Sequence, residues 1–224
     1  MKILVTGIST NIGYNISKNL LNSNYSVVGI ENNCKDKIIN FEKLKQYKKF
    51  KLVKINLLDR SKLFANLSKY KLDIIIHLDE CTELKKINLK PKKYIDNISE
   101  FLNIVFFAKK NKITNLIYKS YFFNDEFSKY LLPIKNSRNN ENNIYLKSKF
   151  LNEEIAATYS KLSSIKFLGI RIFQNKKSLK KYKYFFKNKS NKEFSISLKE
   201  FNYIINKILK EKKFKNEIIN LCLN

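Results

Sequence analysis

Tyr145 and Lys149 stand four residues apart, so on a helix they share one face. An ammonium beside a phenol favours the phenolate, and a phenolate held there is a general base or acid for a sugar hydroxyl. The same ammonium can hold the ribose of a nicotinamide. In a chain with 13 tyrosines such a pair is cheap, so its surroundings decide. It follows a predicted strand and a polar stretch, residues 124–143, that carries Pro133 and reads as a long loop. It opens a segment in which Phe150, Leu151, Ile155, Ala156 and Tyr159 recur at a period of about 3.6, that of a helix.

A second constellation lies in the first thirty-one residues. Lys2-Ile3-Leu4-Val5-Thr6-Gly7 reads as an apolar strand ending on glycine. Ile12-Gly13 opens an amphipathic helix through Leu21, and Ser26-Val27-Val28-Gly29-Ile30 is a second strand ending on Glu31. Strand, glycine loop, helix, strand and terminal carboxylate is the order that holds a dinucleotide. Gly7 permits a tight turn. The loop and helix start, with Thr10, Asn11 and Ile12, offer amides and positive partial charge to a pyrophosphate. Gly13 lets the helix lie close to the sheet. Glu31 accepts the ribose hydroxyls and repels a 2′-phosphate, which predicts NAD over NADP. Thr10 stands where a middle glycine lets backbone approach the phosphate, so its hydroxyl must donate to the phosphate or push it outward.

The elements that position these groups alternate. Candidate strands at 51–55, 72–78, 115–119 and 165–172 are interleaved with candidate helices at 61–69, 92–110 and 145–162. That alternation predicts an α/β doubly wound parallel sheet, Rossmann-like, in the order 3-2-1-4-5-6. Past Phe173 the pattern degrades into a basic, aromatic segment at 176–192. A helix at 198–210 and a short strand at 217–222 follow. The reading divides the chain into a cofactor-binding domain, 1–174, and a much-reduced C-terminal lobe, 175–224, packed on it.

Composition bounds the rest. At 224 residues and 44% hydrophobic, the chain can bury a substantial core. No apolar run approaches the roughly 20 residues of a membrane span. An N-terminus that is already a core strand leaves no secretory signal and reads as cytoplasmic. Cys34, Cys81 and Cys222 are odd in number and unpatterned, so neither a disulfide framework nor a metal set is expected. The formal net charge is +26, yet arginine occurs only at positions 60, 138 and 171. With asparagine and isoleucine so abundant, the lysines read as base composition spread over solvated faces, and nucleic acid is set aside as a partner. His77, the only histidine, reads as a packed strand residue. Arg171 reads as a structural or phosphate-side ion pair.

These motifs resemble the NAD-dependent epimerase/dehydratase family, the extended short-chain dehydrogenase/reductases. Ile74-Ile75-Ile76-His77-Leu78, Pro91 with Tyr94 and Asn97, Leu116-Ile117-Tyr118 and Gly169-Ile170-Arg171-Ile172-Phe173 each resemble a family segment. Residues 51–63 and 157–160 look most like its nucleoside-diphosphate-uronate 4-epimerases. The resemblance implies NAD as cofactor and a nucleotide-sugar substrate whose C4 hydroxyl is oxidised and re-reduced, or which is dehydrated, for surface-polysaccharide synthesis. It implies Tyr145 as general base and Lys149 as its partner and ribose ligand. Gly7, Thr10, Asn11, Ile12, Gly13, Glu31, Asn56, Leu57 and Leu78 fall at cofactor-binding positions. It also implies a homodimer through a four-helix contact made by 92–110 and 145–162.

Several positions depart from the family. Tyr121 occupies the place of its catalytic Ser/Thr, with Ser120 beside it. A one-residue shift turns a side chain to the opposite face, so Ser120 can substitute only if the strand bulges. Asp79 and Glu80 replace two alanines, a Tyr-Gly-Pro loop is missing after 173, and the C-terminal lobe is short. Two functions therefore stand side by side: an active nucleotide-sugar epimerase or dehydratase, and a non-catalytic NAD- or nucleotide-binding scaffold.

Overall fold

Successive residues of β1 (Lys2–Thr6) point to opposite faces, and both faces are apolar, so the strand is buried from both sides. Ile3 and Val5 join one core, while Leu4 joins the other. The computed structural model describes residues 1–31, 41–79, 92–120, 141–174, 195–196, 198–212 and 214–223. The remaining strands are β2 (Ser26–Glu31), β3 (Phe50–Lys54), β4 (Ile74–His77), β5 (Asn115–Ser120), β6 (Lys166–Gln174), β7 (Ser195–Ile196) and β8 (Glu217–Leu223). The helices are α1 (Asn11–Asn22), α2 (Arg60–Leu67), α3 (Lys92–Lys110), α4 (Glu141–Leu162) and α5 (Leu198–Glu211), with a 3-10 turn at Phe41–Gln46.

The strands form one sheet in the order β3-β2-β1-β4-β5-β6-β8-β7, and each pairing is parallel. The predicted order 3-2-1-4-5-6 holds, and two further strands lengthen that edge. β8 pairs with β6 from Leu168↔Glu217 to Gln174↔Leu223. On one face α1 and α5 supply Ile16, Leu20, Phe201, Ile205 and Leu209. On the other face α2, α3 and α4 supply Leu63, Leu67, Phe101, Ile104 and Ala156. Each of these side chains other than Ala156 contributes about 1.5–3 kcal/mol by leaving water. The described part of 175–224 thus shares both the sheet and the core of 1–174. Among the described residues no helix is long and apolar enough to cross a membrane.

Most element boundaries shift by a few residues from the sequence reading, and three differences stand out. β4 stops at His77 rather than Leu78, because the Leu78 and Asp79 amides donate to Thr6 Oγ1 at 3.0 and 3.1 Å. α4 begins at Glu141, a turn before Tyr145, although Asn142 and Asn143 are weak helix formers. β7 has two residues and is held by pairing with β8, which periodicity cannot reveal. Cys34, Cys81, Pro91 and Pro133 lie outside the described residues, as does the predicted 124–140 part of the loop.

Candidate cofactor and active site

The predicted cofactor positions Gly7, Thr10, Glu31, Asn56, Leu57 and Leu78 fall at or just past the carboxyl ends of parallel strands, where open α/β sheets bind ligands, while Asn11, Ile12 and Gly13 open α1 and Lys149 lies on α4. Gly7 leaves β1 with φ +70, a left-handed conformation, and a Cβ there would lie 2.8 Å from the Asp79 nitrogen. Gly13 is packed more tightly still. Its Cβ would sit 2.1 Å from the Gly7 oxygen. Helix α1 therefore starts against the turn that leaves β1.

Thr10 caps that helix. Its Oγ1 donates to the Gly7 oxygen at 2.8 Å and accepts from the Gly13 amide at 3.0 Å. The single hydroxyl proton is thereby used inside the loop. Of the two sequence alternatives, donation to the phosphate is not what this loop shows: the Thr10 hydroxyl turns inward and closes the turn. The Asn11 and Ile12 amides, in the first turn, have no acceptor a turn back, so they remain as the donors for an anion.

Glu31 ends β2 and is buried, with Lys54 Nζ 3.9 Å from its Oε2. Asn56 Oδ1 accepts from the Leu58 amide at 2.9 Å, closing a turn after β3. Leu57 is fully buried and its carbonyl accepts from Asn103 Nδ2 at 2.9 Å, which ties this turn to α3. Leu78 is buried at the end of β4. Thr6 Oγ1, already accepting two amides, lies 2.9 Å from His77 Nδ1, so its proton goes to that nitrogen. His77 is thus a packed strand residue, stacked near Phe101.

The second half of the site forms where α4 crosses β5 and β6. Lys149 and Ser148 are buried. Tyr145 sits one turn before Lys149 on α4, and its side chain lies outside what is described. One turn beyond Lys149 is Glu153, which the sequence reading did not single out. Ser120 Oγ donates to Glu153 Oε1 at 2.6 Å. Arg171 donates from Nε to Oε1 at 2.8 Å and from Nη2 to Oε2 at 2.6 Å, a two-pronged ion pair. The Glu153 hydrogen bond raises the Arg171 pKa, outweighing the burial that lowers it. Burial, then the Glu153 charge, pushes the Tyr118 phenol above its ordinary value.

This geometry decides how Ser120 is placed. Pairing of β5 with β6 continues in register to Ser120↔Arg171, so the bulge that would turn Ser120 outward is absent. Ser120 is instead buried with its proton on Glu153. The spacing of Lys149 and Glu153, four residues on one helix face, was the signal that could have found Glu153. Tyr121 and Glu80 lie outside the described residues. Asp79 is half-buried and its amide is held by Thr6.

Residues 3–176 match the NAD dependent epimerase/dehydratase family. The chain belongs to this family. Among curated relatives, Protein CapI of Staphylococcus aureus is 31% identical over 185 residues, covering 77% of this chain and 54% of that protein. The chain spans about half the length of the curated relatives it matches. Among solved structures, the UDP-Glc/GlcNAc 4-epimerase of Campylobacter jejuni superposes with TM-score 0.72 at 16% identity, covering 98% of this chain and 78% of that one. WbmH of Bordetella bronchiseptica, solved with NAD+, superposes with TM-score 0.59 at 24% identity, covering 77% of this chain and 56% of that one. Both likenesses establish the fold.

The family's cofactor is NAD, and the residues present fit it. Gly13 lets α1 start against the Gly7 turn, the Asn11 and Ile12 amides at that start are left to donate to a pyrophosphate, and a buried carboxylate ends β2. Bound there, NAD would supply a reversible hydride acceptor.

Proposed function

We propose that the chain serves a nucleotide-sugar epimerase or dehydratase reaction in surface-polysaccharide synthesis. The observation that carries this is Lys149, buried on α4 and one turn from the Glu153 clamp, at the carboxyl ends of the strands that also end in Gly7 and Glu31. In this reading the Lys149 ammonium serves a ribose and the phenol of Tyr145, one turn back on the helix.

In this reading Gly7, Thr10 and Gly13 shape the loop, while the Asn11 and Ile12 amides hold the pyrophosphate. Glu31 takes the adenosine ribose, Leu78 borders the nicotinamide side, and Asn56 and Leu57 form the turn beside the adenine. Tyr145 takes the proton from the sugar C4 hydroxyl and returns it, with Lys149 favouring the phenolate and holding the second ribose. Ser120 is a positioning residue, holding α4 to β5 through Glu153. A homodimer through α3 and α4 belongs to the same proposal. Ile95, Phe150, Leu151 and Leu162 are exposed there, an apolar set that a second copy would cover.

A second reading, a binding scaffold without turnover, is favoured by one observation: the Ser120 hydroxyl donates to Glu153 and so has no proton left for a sugar. Nuclear magnetic resonance of uridine-diphosphate sugars separates the two. C4 inversion by the wild type that is lost in Tyr145→Phe supports the enzyme. Inversion that survives Tyr145→Phe unchanged refutes the role of Tyr145. Neither C4 inversion nor a dehydrated keto product, despite measurable NAD binding, supports the scaffold.

A further inference from the structure

Glu31 and Lys54 are Cα partners at the ends of β2 and β3. Paired residues on neighbouring strands point to the same face of a sheet. That face is the one covered by α1, because Val27 on β2 and Phe50 and Leu52 on β3 pack with Ile16 and Leu20. Both charged side chains therefore lie on the α1 face of the sheet, at the strand ends where the proposed reading puts the adenosine ribose. The Glu31 side chain is 3% exposed and that of Lys54 57%, with Nζ 3.9 Å from Oε2.

We propose that Lys54 is a specificity-determining residue for the dinucleotide, setting how strongly the chain prefers NAD over NADP. The proposal rests on the reading that the loop holds NAD. A lone carboxylate at Glu31 would accept the ribose hydroxyls and repel a 2′-phosphate through its full charge. With an ammonium beside it, part of that repulsion is cancelled. Lys54 is also exposed on a flexible stem, so it can reach a phosphate that Glu31 alone would exclude. The margin between the two cofactors is thus set by the pair, and NADP remains a weaker second ligand.

Isothermal titration calorimetry of the full chain with NAD and with NADP tests this. Lys54→Met should raise the ratio of the NADP to the NAD dissociation constant by about fivefold, the size expected for a half-exposed charge pair. Added salt should weaken NADP binding more in the wild type than in Lys54→Met. Lys51→Met is the control. It removes the same charge from the same strand, but Lys51 alternates to the opposite face with Val53, and its ratio should stay within about twofold of wild type. A ratio unchanged by Lys54→Met, with NAD still bound, overturns the proposal alone. An equal shift in Lys51→Met also overturns it, by assigning the effect to net charge. Failure of the wild type to bind NAD at millimolar concentration overturns the cofactor reading and the proposal together.

Discussion

Gly13→Ala isolates the contact on which the cofactor loop depends. The new Cβ would start 2.1 Å from the Gly7 oxygen and 2.7 Å from its carbon, whereas real Cβ atoms essentially never come under 3.0 Å. The start of α1 must therefore withdraw by about 1 Å from backbone that has no slack. Such a shift stretches the 3.0 Å bond between the Gly13 amide and Thr10 Oγ1 beyond hydrogen-bonding range. Losing that cap costs about 1 kcal/mol. Overpacking against fixed backbone costs about 1–3 kcal/mol more. Alanine's higher helix propensity offsets about 1 kcal/mol of this. The net loss is about 1–3 kcal/mol, a fall in Tm of roughly 3–10 °C for a domain of this size. Because the displaced amides are those left for the pyrophosphate, NAD affinity should fall by at least about tenfold, a loss of about 1.4 kcal/mol. Gly29→Ala is the comparison, since its Cβ would meet Phe50 and Ile8 side-chain atoms at 2.8 and 2.9 Å, which can shift. Circular dichroism melts and calorimetric NAD titration read both effects. If Gly13→Ala melts no lower than Gly29→Ala and binds NAD as the wild type does, the loop is not closed in the way described.

Three further outcomes are expected. Glu153→Ala should cost about 3 kcal/mol in urea denaturation, because Arg171 and Ser120 lose their shared buried acceptor, while Glu153→Gln, which keeps an acceptor oxygen, should cost less; equal losses would refute a role for the acceptor oxygen and leave the contribution to the charge alone. The Tyr118 phenol is raised in the folded state, so the unfolded chain ionises first, and its contribution to stability, intact below about pH 10, is lost as pH rises above that. Tyr118→Phe should therefore flatten the decline of stability between pH 10 and 11, and an unchanged slope would sink this. Ile95→Glu and Leu151→Glu, at positions 64% and 46% exposed, should shift a sedimenting dimer to monomer, and a wild type that is monomeric at micromolar concentration would refute the contact.

The sequence by itself determined the sheet order from β3 to β6 and the carboxyl-edge placement of Gly7, Gly13 and Glu31. Apolar runs, glycines and a terminal carboxylate act through local backbone geometry, which sequence spacing records. It also marked Tyr145 and Lys149 as one helix face, since i and i+4 are neighbours on any helix. What it could not decide was where hydroxyl protons go. Thr10 and Ser120 were both legible as polar residues near a ligand, yet one donates to Gly7 and the other to Glu153. Those acceptors are brought up by the turn before α1 and by the docking of α4, and a hydroxyl has one proton to give. The Glu153–Arg171 pair links positions on α4 and β6 that only the packed fold brings to 2.6 Å. The partnership of β8 with β6 was equally hidden. A short strand's neighbour is chosen by the unpaired edge waiting for it, and that edge exists only once the rest of the sheet has formed.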